Sequence, residues 1–165
     1  MVELYPYHRL AVHFPDTFTP AELDTLASLD GKTLQKVIYT VWKNLTPGGG
    51  QFQALDWISL IWYDGARTDL HAVEDQPGIR IEPLNYGLEQ TRVIQSLPGQ
   101  VEMEQVDMTF SPVWMGLQGV SVTSIGLEEV DEDLFRNDVF HLEFEDTTIE
   151  ISLGEAGMSA RRLAV

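Results

Sequence analysis

Cysteine is absent from the 165 residues, which excludes a disulfide framework, a thiolate metal site and a cysteine nucleophile. Positive charge is scarce. Ten Lys and Arg stand against 26 Asp and Glu, for a formal net charge of -16. Such a surface repels phosphate, so contact with a nucleic-acid backbone or an anionic lipid surface is not expected. Basic proteins and cations are attracted instead. Apolar runs are too short to read as membrane spans. Residues 1–6 lack the basic-then-apolar order of a signal peptide, and a cytoplasmic location is the resulting expectation. Two familiar catalytic signatures are missing as well. No Gly-x-Ser-x-Gly elbow occurs. Gly48-Gly49-Gly50 is followed by Gln51 rather than Lys-Ser/Thr, so it reads as a turn and not a phosphate loop.

What is present describes a globular domain. Hydrophobic residues make up 44% of the chain and charged residues 22%, which separates it from disordered sequences. Its length suits one domain, residues 1–165, with an enclosed core. Residues 8–14 alternate and predict a first strand. Thr19-Pro20-Ala21-Glu22 then supplies an N-cap, a proline at the first helical position and a glutamate three residues past the cap. This capping box predicts a short helix with Leu23, Leu26 and Ala27 on one face, stopping before Gly31 and docked on a sheet.

Beyond the helix the period becomes two. Strands are expected at 34–42 and 101–110, a hairpin at 56–63 and 68–73 around Asp64-Gly65, and a short strand at 79–81 between prolines. Residues 88–96 fit either a strand or a helix. Further strands are expected at 119–126, 138–145 and 148–153, followed by a small, polar and loose tail from Gly154 onward.

The pattern recurs. Leu34-Gln35-Lys36-Val37 matches Leu117-Gln118-Gly119-Val120 at an offset of 83, and 57–64 matches 139–146 at 82. Asp69-Leu70-His71-Ala72 matches Glu150-Ile151-Ser152-Leu153 at 81. One-residue steps between blocks are what loop insertions and deletions produce. The expectation is a mainly β (α+β) fold. Its antiparallel sheets would come from two diverged strand-plus-hairpin repeats, about 31–74 and 116–155, with one short N-terminal helix on the sheet and a flexible tail at 156–165.

Superposing the units aligns Ile58, Leu60 and Trp62 with Phe140, Leu142 and Phe144, so that face should be core in both. The opposite faces diverge. The first carries Trp57, Ser59, Ile61 and Tyr63, and should be covered by the capped helix or the N-terminal strand. If uncovered, Trp57 and Tyr63 would form an apolar patch. The second carries His141, Glu143, Glu145 and Glu150 and should face water.

Acidity concentrates in the second half. Residues 1–100 hold seven basic and twelve acidic side chains, and residues 101–165 hold three and fourteen. Glu128, Glu129, Asp131, Glu132 and Asp133 place five carboxylates within six residues. Clustered like charges oppose folding unless a partner neutralises them, so the run reads either as a docking surface for a cationic partner or as a solvated loop. It is not an EF-hand. A loop starting at Asp131 needs glycine where Arg136 stands and an acid where Leu142 stands.

The four histidines, His8, His13, His71 and His141, lack a recognisable third ligand, so neither a metal nor a cofactor is expected. Among its glutamates, His141 should favour its charged form. Three functions follow in order. The first is a non-catalytic module engaging a basic protein, as an immunity or inhibitor protein does. The second is a small-molecule or carbohydrate-binding β domain with an aromatic pocket between the units. The third is a hydrolase using a carboxylate pair. Neither composition nor pattern sets an oligomeric state.

Overall fold

The computed structural model describes residues 16–45, 53–73 and 76–163. The strand expected at 8–14, with His8 and His13, lies outside them, as does the glycine turn. The capping box forms as its residues require. Thr19 Oγ1 accepts from the Glu22 amide at 3.2 Å, and Glu22 Oε1 accepts from the Thr19 amide at 2.9 Å. The helix it starts, α1, runs Pro20–Ala27. Leu26 is buried and Leu23 packs against the core, whereas Ala27 faces out.

Four strands then build a meander: β1 (Leu34–Asn44), β2 (Gln53–Trp62), β3 (Arg67–Val73) and β4 (Gln76–Ile81). The β2–β3 turn is set by Asp64, whose Oδ1 accepts from the Ala66 amide at 2.8 Å, and by Gly65 at φ 88°. Residues 88–96 are helical. The helix α2 spans Tyr86–Ser96, with the Asn85 side chain accepting from the Leu88 amide at its N-terminus. It leads into β5 (Val101–Asp107), which pairs with β1 and completes a five-stranded antiparallel sheet in the order β4-β3-β2-β1-β5.

The rest of the chain forms β6 (Val122–Gly126), β7 (Glu129–Asp131), β8 (Leu134–Phe135), β9 (Val139–Phe144), β10 (Thr147–Gly154) and β11 (Gly157–Leu163). Of these, β7 and β8 make a separate two-stranded ribbon, and the others a four-stranded antiparallel sheet in the order β11-β10-β9-β6. The tail expected to be loose is therefore a strand over most of its length. Its small polar residues have low strand propensity, but Met158 turns inward and is 5% exposed, and the ladder runs from Gly154↔Gly157 to Thr148↔Leu163.

The two sheets share one core. Ile58, Leu60, Trp62, Phe140, Leu142 and Phe144 are all buried in it, the faces that alternation assigns to the interior. At roughly 1.5–3 kcal/mol for each large apolar side chain removed from water, these positions outweigh the weaker local signals around them. The two hairpins also share a ladder register. Ile58 pairs with Leu70 and Phe140 with Ile151, in line with offsets of 82 and 81. The strand ahead of each hairpin is displaced from the aligned block. Trp62 pairs with Leu34 and Phe144 with Val122, so residue 34 answers to 122, and residues 117–120 lie ahead of β6.

The outer face of the first hairpin is covered around Trp57 and Ser59, by α2 rather than by the capped helix, and is open at Tyr63. Trp57, Val93 and Met103 form a second, small buried cluster there, flanked by Trp42, Leu84, Tyr86 and Val101. The capped helix sits instead against β4, where its Glu22 Oε2 accepts from the Ile81 amide at 2.8 Å.

Candidate functional site

The five clustered carboxylates lie on the β7–β8 ribbon and the residue that leads into it. Glu129 pairs with Phe135 and Asp131 with Leu134, while Glu132 and Asp133 form the tip, where Asp133 takes a left-handed φ of 58°. The ribbon is stitched to the body at its base. There the Phe18 amide donates to the Phe135 carbonyl at 3.0 Å, and the Arg136 amide to that of Glu128 at 3.0 Å. All five acids are exposed, and so is Val130 between two of them, at 55%.

One cation serves this cluster among the described residues. Arg136 donates through Nε and Nη2 to the two oxygens of Asp138, at 2.6 and 2.7 Å, and through Nη1 to Glu128 at 3.2 Å. The fork holds the Asp138 carboxyl below the usual carboxylate range and raises the guanidinium further. Glu129, Asp131, Glu132 and Asp133 have no ion pair among the described residues.

A hollow lies on each side of the ribbon. The larger, about 540 Å³, is lined by Asp16, Thr17, Gly78, Val130, Arg136, Asn137, Asp138 and Leu153. Asn137 forms its buried floor, with Nδ2 donating to the Thr17 carbonyl at 3.2 Å. Gly78, at φ 92°, fits against this side chain, since a Cβ there would lie 2.0 Å from Asn137 Oδ1. The smaller hollow, about 380 Å³, is apolar and runs between α1 and the ribbon, with Leu23, Leu26, Ile125, Leu127 and Phe135 in its walls.

The remaining predicted acids are placed apart from the ribbon. Glu150 on β10 lies between His141 Nε2 at 3.1 Å and Arg161 Nη2 at 2.9 Å. The imidazole hydrogen bond, aided by the Arg161 charge, keeps its carboxyl below the ordinary range despite partial desolvation. Glu143 accepts from the Ser124 hydroxyl on β6. Glu145 is exposed at the far end of β9, in the turn to β10. The outer face of the second hairpin is thus half-buried, and one of its glutamates is already paired. Among the described residues, Glu143 and Glu145 likewise have no ion pair, but the ribbon gathers four such carboxylates, Glu129, Asp131, Glu132 and Asp133, within five positions.

Trp57 and Tyr63 do not form a patch. Trp57 is 2% exposed beneath α2, with the Arg67 guanidinium 5.5 Å from its ring centroid, while Tyr63 stands alone at 55%. The same face holds a buried polar network that strand alternation did not single out. Asp69, 3% exposed, accepts from Trp57 Nε1 (2.9 Å), Ser59 Oγ (2.6 Å) and Arg67 Nε (2.9 Å) through Oδ1, and from the Leu84 amide (3.0 Å) through Oδ2. Ser59 on β2 and Asp69 on β3 lie directly opposite one another, a pairing that only the cross-strand register reveals.

Asp56 lies at the edge of this face. Thr40 pairs with Trp57 and Val41 with Leu55, so Asp56 is the extra residue of a β-bulge. Burial pushes its carboxyl up to about 6, against the pull of Arg92 and with the push of Glu89, both on α2. On β3, His71 is held below the ordinary imidazole range by burial, in spite of Glu82 at 3.1 Å. No three His, Asp or Glu side chains among the described residues are arranged to hold a metal ion. Among the described residues, no helix is long and apolar enough to cross a membrane. No family model matches the chain, and neither a characterised protein nor a solved structure is significantly similar to it.

Proposed function

We propose that this chain is a non-catalytic module that binds a basic protein through the β7–β8 ribbon, in the manner of an immunity or inhibitor protein. One observation carries the reading. Four exposed carboxylates on a short ribbon lack cation partners among the described residues, and they surround an exposed valine between two hollows. Like charges this close cost stability, and a cationic partner would convert the cost into attraction and fast encounter. Val130 and the hollow walls add the apolar contact that charge alone does not supply. A carbohydrate site between the two units has less support, because the space between the sheets is filled by Trp62, Phe140 and Phe144.

The test compares the intact chain with a variant carrying Glu129→Gln, Asp131→Asn, Glu132→Gln and Asp133→Asn. Immobilised wild-type chain should retain a basic protein from its host that elutes as salt is raised, and the variant, with an unchanged thermal melt, should not retain it. Equal retention by both would rule the ribbon out as the docking element.

A further inference from the structure

Few groups hold α2 to the first sheet. Val93 is the only buried residue of the helix, while Leu88 and Ile94 stand 70% and 55% exposed. The Tyr86 ring packs on Trp57 with centroids 6.2 Å apart, and its hydroxyl donates to the Met103 carbonyl at 3.2 Å. Irregular chain flanks the helix on both sides, residues 82–85 ahead of it and 97–100 after it, where Gly99 takes a φ of 72°. Segments with so little buried contact open without unfolding the rest of a domain. Two polar groups on the covered face also lack partners. Thr40 lies on β1 directly opposite Trp57, and its buried hydroxyl has no hydrogen-bond partner among the described residues. Asp56, the extra residue of the β2 bulge, is half-buried, and no hydrogen bond or ion pair among the described residues reaches its carboxylate. Each is disfavoured while the helix is docked and gains water when it leaves.

We propose that α2 is a hinged lid that swings off the first sheet while the core stays folded, and that negative charge on Asp56 drives the opening. The lid is independent of the partner reading, since no ribbon residue takes part in it. With α2 docked, burial holds the Asp56 proton up to about pH 6, against an ordinary value of 3.8. Once ionised, the carboxylate is short of water, drawn by Arg92 and repelled by Glu89, both on α2. Arg92 does not neutralise it fully, because its guanidinium is already paired with Glu89 at 2.7 Å. The other charged groups under the helix gather around His71 on β3, which faces Glu82, Glu89 and Asp69, the last of these paired with Arg67. Burial holds the imidazole below its ordinary range, so protonation of His71 favours opening as pH falls, the opposite sign to Asp56. Opening uncovers an aromatic ring, a hydroxyl and a carboxylate together, those of Trp57, Thr40 and Asp56.

Amide hydrogen exchange of the full chain, followed by NMR and corrected for intrinsic rates, measures the opening. The amides of Val93 and Ile94 should report an opening at least about a hundredfold more frequent than those of Leu60 and Leu142 in the core. The comparison chain is Asp56→Asn, which removes the charge and keeps the shape. His71 acts in both chains, so the ratio of their α2 opening constants isolates Asp56. That ratio, wild type over Asp56→Asn, should grow about tenfold between pH 5 and pH 7.5, as a carboxyl that titrates at about 6 when covered and at 3.8 when hydrated requires. Exchange of Val93 and Ile94 as slow as that of Leu60 would show that α2 leaves only in global unfolding. A ratio that stays constant with pH would remove Asp56 as the driver. Either result would overturn the charge-driven lid.

Discussion

Glu22 in α1 accepts the amide hydrogen of Ile81 in β4 at 2.8 Å with one oxygen, while the other accepts the Thr19 amide at 2.9 Å. A residue expected only to cap a helix therefore also ties that helix to an edge strand. Its side chain is buried, with Arg80 Nη1 3.6 Å away. Glu22→Ala should lower the unfolding free energy by about 2–4 kcal/mol, since it removes one half of the capping box, leaves the Thr19 and Ile81 amides without their acceptor and takes the carboxylate away from Arg80. Urea denaturation checks this, with Glu132→Ala on the exposed ribbon as the comparison, expected within about 0.5 kcal/mol of wild type.

Asp69 is the polar centre beneath α2. Asp69→Ala should cost about 3–5 kcal/mol, because Ser59, Trp57, Arg67 and the Leu84 amide all lose their common acceptor. Tryptophan fluorescence should report the change from Trp57 as well as the stability loss. A loss under about 1 kcal/mol would mean that the donors find water instead.

Asp56 makes stability depend on pH with a definite sign. Its folded carboxyl titrates at about 6, above the ordinary carboxylate value of 3.8, so the folded state holds the proton more tightly than the unfolded one. The corresponding stability is present below the unfolded value and is lost as pH rises through about 6. Asp56→Asn should therefore raise stability at pH 7.5 by about 1–2 kcal/mol and leave it nearly unchanged near pH 4. Melting curves at the two pH values measure the difference. His71 has the opposite sign. Its folded value is lowered by burial, so its contribution is present above the unfolded value and lost as pH falls through it.

Gly78→Ala should destabilise by about 2–4 kcal/mol. The methyl would meet Asn137 Oδ1 at 2.0 Å, at a backbone φ of 92° that side chains rarely adopt. Gly99→Ala, also at positive φ but in open space, should cost less, about 1 kcal/mol. Thermal unfolding of the two variants separates contact from backbone strain.

How much of this was legible depended on whether a signal was local. The capping box and the period-two hairpins involve residues a few positions apart, so α1 and the inward faces of Ile58, Leu60, Trp62, Phe140, Leu142 and Phe144 were readable. β11 was not, because its strand state comes from pairing with β10 and its own residues argue against it. The α2 lid over Trp57 was hidden for a related reason. Residues 88–96 mix periods, and only the Asn85 cap and the docking of Val93 decide for helix. Among the candidate acids, spacing located the run 128–133 but not its company. It could not show that Glu150 is paired by His141 and Arg161, nor that Glu145 lies at the other end of β9. The Asp69 network needs cross-strand register, which alternation alone does not supply.

Hydrogen exchange on the chain, alone and bound to the basic protein it retains, tests the ribbon most directly. Protection should appear across 128–136 and in the amides of Asn137 and Leu153, and it should fade as salt releases the partner. Protection confined to the outer face of β9 and β10, with 128–136 exchanging as in the free chain, would contradict the proposed docking surface.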